Sequence, residues 1–173
     1  MARISYGDPA APEARALVER IVAERGSLLH LYQMLTHSPP VAEGWLAFLT
    51  AIRHKGVLPG ALRELVIIRI ALLNNAPYEA DQHVPIALRE GATKAQVDAL
   101  ADWQDSALFS PRERAVLGYV DAMTRQIQVP PEVFAAVRDV CDDRELVELT
   151  ATIGAYNMVS RFLEALEIHS HDP

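Results

Sequence analysis

The sequence predicts an all-α protein, and two observations carry this prediction. Apolar residues recur with a period near 3.6 in nearly every segment, as expected for helices that bury one face. The prolines and glycines fall between those segments, where they begin and end helices. A chain of 173 residues also suits one domain, so we expect residues 1–173 to form a single domain.

Three helices are expected over about residues 12–54, as part of that same domain. The first begins near Pro12 and ends before Gly26. The second begins at Ser27, and the prolines after it end it. Pro40 can then open the third helix, because proline fits the first turn of a helix.

The stretch "PGALRELVIIRIALLNN" predicts a central helix. It is apolar on almost all sides from Leu65 to Leu73, which is typical of a helix that neighbours bury all round. The next helix ends at Gly91 but contains Pro85, whose ring clashes with the preceding turn. We therefore expect a kink or a helix restart after His83.

Four more helices are predicted in the second half of the chain. A short helix "TKAQVDAL" has Thr93 as its cap, and "SPRERAVLGYVDAMTRQ" repeats a Ser-Pro start. "PPEVFAAVRDV" follows. The last helix is about 25 residues long, with Asp142 or Asp143 positioned to cap it.

Composition excludes several classes of protein. Cys141 is the only cysteine, so no disulfide can form within the chain, and a reducing cytoplasm is the expected compartment. The net charge is −7 and the arginines are scattered, which argues against a nucleic acid partner. No apolar run approaches the ~20 residues needed to cross a bilayer, and the first residues lack the order of a secretion signal. A small-molecule substrate or an assembly role remains.

An ionisable pair in "NAPYEADQHVPIALREG" is the first candidate site. Glu79 and His83 are four residues apart and lie about 40° apart on a helical wheel, at the border of the apolar face. Asp81 and Arg89 fall on the opposite arc, so the helix already has a solvent side. Because Glu90 projects in the same direction as Glu79, the pair could alternatively belong to an exposed stripe.

Two further polar residues are expected to lie inside the protein. Glu64 is in the early turns of the most buried helix and needs a partner there, either an arginine such as Arg63 or Arg69, or His83 across a cleft. Asn157 interrupts an apolar line on the last helix, so its amide either contacts a substrate or satisfies a backbone group.

Metal binding is a separate possibility for this set. A Glu and a His at i, i+4 with a further Glu from a neighbouring helix can hold a divalent ion. Helical metal sites commonly repeat their motif, and this chain has no second Glu-x-x-His. We therefore expect no metal and no cofactor.

The stretch "GALRELVIIRIALLNNAPYEADQHVPIALREGATKAQVDAL" resembles the core of the carboxymuconolactone decarboxylase family, whose relatives include the AhpD-type alkylhydroperoxidases. In that core an Arg-Glu begins a buried helix, and the next helix carries a histidine and ends in glycine. "LFSPRERAVLGYVDAM" and "ELTATIGAYNMVSRFLEAL" resemble the C-terminal part of the family. The resemblance covers about residues 60–168 and implies an AhpD-like helical bundle.

The resemblance also implies roles for particular residues. AhpD-type members have a Cys-x-x-Cys redox pair whose second cysteine is four residues before the histidine, and a glutamate twelve residues before the first cysteine. Here those cysteine positions hold Ala76 and Glu79, while the glutamate and the histidine match Glu64 and His83. A thiol peroxidase built on that motif is excluded, since a carboxylate cannot form a disulfide.

What remains of the motif suggests acid–base catalysis by Glu64, Glu79 and His83, as in a decarboxylase acting on a small carboxylated lactone or a related acid. Two alternatives stay open: a peroxide-reducing enzyme that uses an outside thiol, and a non-catalytic oligomer that binds a ligand. The family resemblance further implies a homo-oligomer, commonly a trimer or hexamer.

Overall fold

The computed structural model describes residues 1–172, and the protein is all-α, as predicted. The helices within that range are α1 (Arg15–Arg25), α2 (His30–Leu35), α3 (Pro39–His54), α4 (Gly60–Leu73), α5 (Pro77–Arg89), α6 (Lys94–Ala99), α7 (Pro111–Arg125), α8 (Pro131–Arg138) and α9 (Asp143–Leu166). A short 3₁₀ helix spans Trp103–Asp105. The chain divides into two compact units, Val57–Phe162 and Met1–Gly56 with the chain from Leu163 onward.

In the unit that contains the N-terminus, α1 and α2 pack against α3. Arg25, in the last turn of α1, donates from Nη2 to Thr50 Oγ1 at 2.7 Å and from Nε to the Tyr32 hydroxyl at 3.2 Å. Its guanidinium carbon also lies 5.6 Å from the centre of the Tyr32 ring. One arginine therefore joins α1 to both neighbouring helices.

Three helix starts in this unit differ from the sequence prediction. The first helix begins at Arg15 rather than near Pro12, and the second at His30 rather than Ser27. Leu29 is extended, with ψ of 150°, and no side chain caps the second helix, so serine did not provide the start signal. The third helix begins at Pro39, one residue before the predicted proline.

The Val57–Phe162 unit is built around α4, which packs against α5 and α7. Ten consecutive α4 residues, from Leu62 to Ala71, are buried, which confirms the predicted central helix. A cluster of buried apolar residues fills the space beside α4: Leu65, Ile68, Ala87, Ala92, Leu100, Trp103, Phe109 and Leu117.

Polar caps fix where α6, α7 and α9 begin. Thr93 and Ser110 each form a capping box. The side chain of the cap accepts a hydrogen bond from the backbone N–H three residues later, and the side chain of that later residue accepts one from the backbone N–H of the cap. Asp142 does the same for α9, accepting from the Glu145 N–H at 2.8 Å. The C-terminal end of α5 is followed by Gly91, whose φ is 104°, a conformation that glycine adopts without strain.

The expected helix restart after His83 does not form. α5 is one continuous helix from Pro77 to Arg89, with Pro85 inside it and exposed. Proline on the solvent side leaves room for its ring and lets water reach the carbonyl that loses its N–H partner.

A buried ion pair joins α4 to α7. Arg69 and Asp121 make two parallel hydrogen bonds of 2.7 Å each. The remaining Arg69 nitrogen donates to the carbonyls of Leu100 and Ala101 at 2.8 and 2.9 Å. All three guanidinium nitrogens of Arg69 therefore donate hydrogen bonds. These bonds hold α4, the helix that carries Glu64, in a fixed position relative to α7.

Asp121→Ala should lower the free energy of unfolding by about 3–5 kcal/mol, because it leaves the Arg69 charge buried without its partner. Urea denaturation followed by circular dichroism measures this change. Asp98→Ala is the matched control, because it breaks an exposed i, i+4 pair with Lys94 and should change stability by no more than about 0.5 kcal/mol. Equal losses in the two variants would show that the buried pair has no special structural role.

Candidate functional site

The turn between α4 and α5 brings the candidate residues together. Asn75 adopts a positive φ of 51°, which asparagine tolerates better than most residues, and the chain turns within a few residues. α5 then packs along α4. This arrangement places the early turns of α4 beside the middle of α5, so Glu64 meets His83 although 19 residues separate them.

The His83 imidazole lies between two carboxylates. Its Nδ1 is 2.6 Å from Glu64 Oε2, and its Nε2 is 3.4 Å from Glu79 Oε2. Glu64 is fully buried, and Glu79 and His83 are 3% and 5% exposed, which excludes the alternative of an exposed stripe. Glu90, which was expected to share that direction, is exposed.

Arg63 holds the other oxygen of Glu64. Its Nε donates to Glu64 Oε1 at 3.1 Å, so the two α4 neighbours form an ion pair inside the protein. Both proposed partners of Glu64, an arginine and His83, are therefore present at the same time. The Arg63 guanidinium beside one oxygen stabilises Glu64 as a carboxylate. The other oxygen can then accept a hydrogen bond from the Nδ1–H group of His83.

Tyr156 of α9 completes the surroundings of His83. The two rings meet edge to face, with centres 5.1 Å apart and planes at 88°, and Tyr156 is 2% exposed. Such a contact restricts rotation of the imidazole about its long axis. The sequence analysis did not identify Tyr156, since an aromatic residue on an apolar helix face carries no signal beyond packing.

These contacts together define what the site can do chemically. Glu64 fixes the orientation of the ring and, when His83 is neutral, favours the tautomer with its proton on Nδ1. Nε2 is then the basic nitrogen, and it faces Glu79. A proton can pass between Glu79 and Nε2. A general acid must regain its proton after each turnover, and Glu79 is placed to return it.

Ala76 and Glu79 occupy the positions that cysteines take in AhpD-type relatives. Ala76 is 1% exposed and lies just before the first residue of α5. Cys141, the thiol that the chain does possess, is buried, and burial raises its pKa, with the nearby Glu145 carboxylate adding to the effect. α9 begins at Asp143, so Tyr156 lies about 20 Å further along that helix from the region of Cys141.

Asn157 is held by other protein groups. Its Nδ2 donates to Thr124 Oγ1 at 3.1 Å and to the Ile153 carbonyl at 3.0 Å, and its Oδ1 accepts from Asn74 at 3.1 Å and from Arg161 at 2.8 Å. These bonds tie α9 to the end of α4 and to α7. A role in substrate binding remains a prediction for this residue.

Residues 1–172 contain neither a metal-binding cluster nor a membrane-spanning helix. No group of three or more His, Cys, Asp or Glu side chains is placed to hold a metal ion there. None of the helices in that part of the chain has the length and apolarity that a membrane crossing requires.

The fold agrees with comparisons to known proteins. Residues 39–122 match the model of the carboxymuconolactone decarboxylase family. The uncharacterised protein YnjA of Escherichia coli K12 is 35% identical over 130 residues, which cover 72% of this chain and 66% of YnjA. The chain belongs to the carboxymuconolactone decarboxylase family, in its AhpD-like fold.

Solved structures share this fold. A protein of unknown function from Agrobacterium tumefaciens, ATU0492, a candidate AhpD antioxidant defence protein, is 25% identical with a TM-score of 0.75, over 80% of this chain and 96% of that one. A peroxidase-related protein with an AhpD core from Ralstonia eutropha JMP134 is 20% identical, with a TM-score of 0.85 over 99% and 93% of the two chains. The debrominase Bmp8 is 17% identical, with a TM-score of 0.81 over 96% and 92%.

We expect neutral His83 to carry its proton on Nδ1 in the native protein. Free imidazole side chains favour the other tautomer, and the Glu64 hydrogen bond reverses that preference. Imidazole ¹⁵N chemical shifts at high pH measure the tautomer directly. Glu64→Leu should shift the population towards Nε2–H, whereas Glu13→Leu, at an exposed position, should leave it unchanged. An Nε2–H majority in the native protein would contradict the assigned hydrogen bond.

Proposed function

We propose that this protein is an acid–base enzyme that decarboxylates a small carboxylated lactone or a related organic acid. The observation that supports this most is the placement of the His83 imidazole between the buried carboxylates of Glu64 and Glu79. A histidine that only packs in a core needs no second carboxylate. Membership of the decarboxylase family supports the reaction class.

The proposed reaction begins with cleavage of the bond between the substrate carbon and its carboxylate. Carbon dioxide leaves, and the electron pair remains on the substrate as an enolate conjugated with a carbonyl. Protonated His83 then delivers a proton from Nε2 to that carbon, and Glu79 returns its own proton to Nε2. Water then re-protonates Glu79, so each turnover consumes one proton from solvent. Glu64, which accepts a hydrogen bond from Arg63, keeps the imidazole oriented.

Two alternative functions receive less support. Reduction of a peroxide with an outside thiol would have to proceed without a cysteine of this chain at the site. Ala76 and Glu79 stand where the family resemblance implies the cysteines, and Cys141 is buried. A non-catalytic oligomer that binds a ligand would have no need for a proton-transferring pair in the interior. We also propose that the chain forms a homo-oligomer in the cytoplasm, which size-exclusion chromatography with light scattering tests.

His83→Gln should reduce turnover by a factor of about 100 or more, because glutamine keeps a polar side chain but cannot deliver a proton. The assay is carbon dioxide release from carboxymuconolactone and a panel of related lactone and keto acids. His171→Gln, at an exposed histidine, is the matched control and should retain activity. Circular dichroism and thermal melting show whether the variant is folded. Full activity in folded His83→Gln would contradict the mechanism.

The Cys141 thiol should react slowly with an aromatic disulfide reagent at pH 8. Its raised pKa reduces the fraction of thiolate at that pH, and its burial restricts access. The rate should rise with pH and become fast in denaturant. Cys141→Ser should leave decarboxylase turnover unchanged. A fast native reaction, or loss of turnover in the serine variant, would instead support thiol chemistry at this position.

A further inference from the structure

Arg63 is anchored at one end of its guanidinium and available at the other. Nε donates to Glu64 Oε1 at 3.1 Å, while Nη2 lies 3.9 Å from Glu90 Oε1. That separation is too long for a hydrogen bond. Among residues 1–172, no acceptor is within hydrogen-bond distance of the two terminal nitrogens, although the Arg63 side chain is only 10% exposed.

Three other arginines of the same unit form short bonds to carboxylates. Arg69 has 2.7 Å bonds to Asp121, Arg112 has a 2.6 Å bond to Glu145, and Arg144 has a 2.9 Å bond to Glu148. Arg144 also bonds through Nε alone, but its side chain is 64% exposed and faces water. Arg63 is 10% exposed, and unlike the buried Arg69 it forms no hydrogen bond from its terminal N–H groups within residues 1–172.

Glu90 shows that a carboxylate can occupy the space beside Arg63. Its side chain is 45% exposed, and its carboxylate lies over Gly60, where any Cβ would collide with it. The chain thus leaves room for the Glu90 carboxylate without fixing it by a hydrogen bond to Arg63. A ligand carboxylate that forms a hydrogen bond to the guanidinium can displace the Glu90 carboxylate, which forms none to it.

Arg63 is also close to the proton-transfer residue. It and His83 bond to opposite oxygens of one carboxylate, so Arg63 Nε and His83 Nδ1 are within ~8 Å of each other. A carboxylate bound to Arg63 would therefore lie beside the Glu64–His83 pair.

We propose that Arg63 is the residue that binds a carboxylate of the substrate, and that Glu90 is a displaceable counter-ion that competes for the same guanidinium. The identity of the ligand as a substrate rests on the proposed function. Anion binding at Arg63 does not, because it can be measured without turnover. Arg63 consequently has two roles, since its Nε positions Glu64 while its terminal nitrogens hold the ligand.

The test is a titration of maleate, a small dicarboxylate, into the full-length protein at low salt. Calorimetry gives the dissociation constant, and the ¹⁵N–¹H signal of Arg63 Nε reports whether binding is local. The native protein should bind maleate with a chemical-shift change at Arg63. Glu90→Gln should tighten binding several-fold, because the competing charge is removed while Glu64 and Arg63 are untouched. Arg63→Gln should weaken binding at least about tenfold.

Controls separate this site from general charge effects. Glu132→Gln removes one exposed negative charge elsewhere and should not tighten binding. Arg144→Gln removes one positive charge and should not weaken it. If Glu90→Gln and Glu132→Gln behave alike, or if the native protein and Arg63→Gln bind maleate equally, the proposal is overturned. If His83→Gln binds maleate as the native protein does but has lost decarboxylase turnover, the result supports both the Arg63 site and the proposed function. If the native protein binds maleate but turns over no substrate, only the proposed function is overturned.

Discussion

The site depends on one carboxylate that forms hydrogen bonds with two side chains. Glu64 is fully buried and places Arg63 on one oxygen and His83 on the other. A buried carboxylate is costly unless it is paired, and here the pairing also fixes an imidazole in one orientation. The burial of α4, the turn at Asn75 and the Arg69–Asp121 lock all keep this carboxylate within reach of α5.

The positions at which the family resemblance implies a cysteine pair hold no sulfur in this chain. A Cys-x-x-Cys motif would act by oxidation and reduction, whereas Ala76 and Glu79 leave a neutral methyl group and a second carboxylate. The Glu79 carboxylate lies beside Nε2, the nitrogen that Glu64 leaves available. Under the proposed function, the same helix pair would transfer protons rather than electrons, in line with the rule that one fold hosts several chemistries.

Much of the fold could be predicted because its signals are local. The apolar run of α4, the caps at Thr93 and Ser110 and the stop at Gly91 were all confirmed. The errors came where local signals were weak or where tertiary contacts decided. Ser27 does not cap α2, and Pro85 is tolerated because it is exposed. Tyr156 and the open end of Arg63 depend on contacts between distant segments, which spacing along the chain does not encode.

The central claim is that an oriented His83 delivers the proton to the substrate carbon. Decarboxylation in D₂O, followed by proton NMR of the product, tests it most directly. A proton delivered by a fixed imidazole should place one deuterium on one face of the carbon that lost carbon dioxide. Equal labelling of both faces would show that free solvent protonates the intermediate, and would contradict the assignment of His83 as the acid.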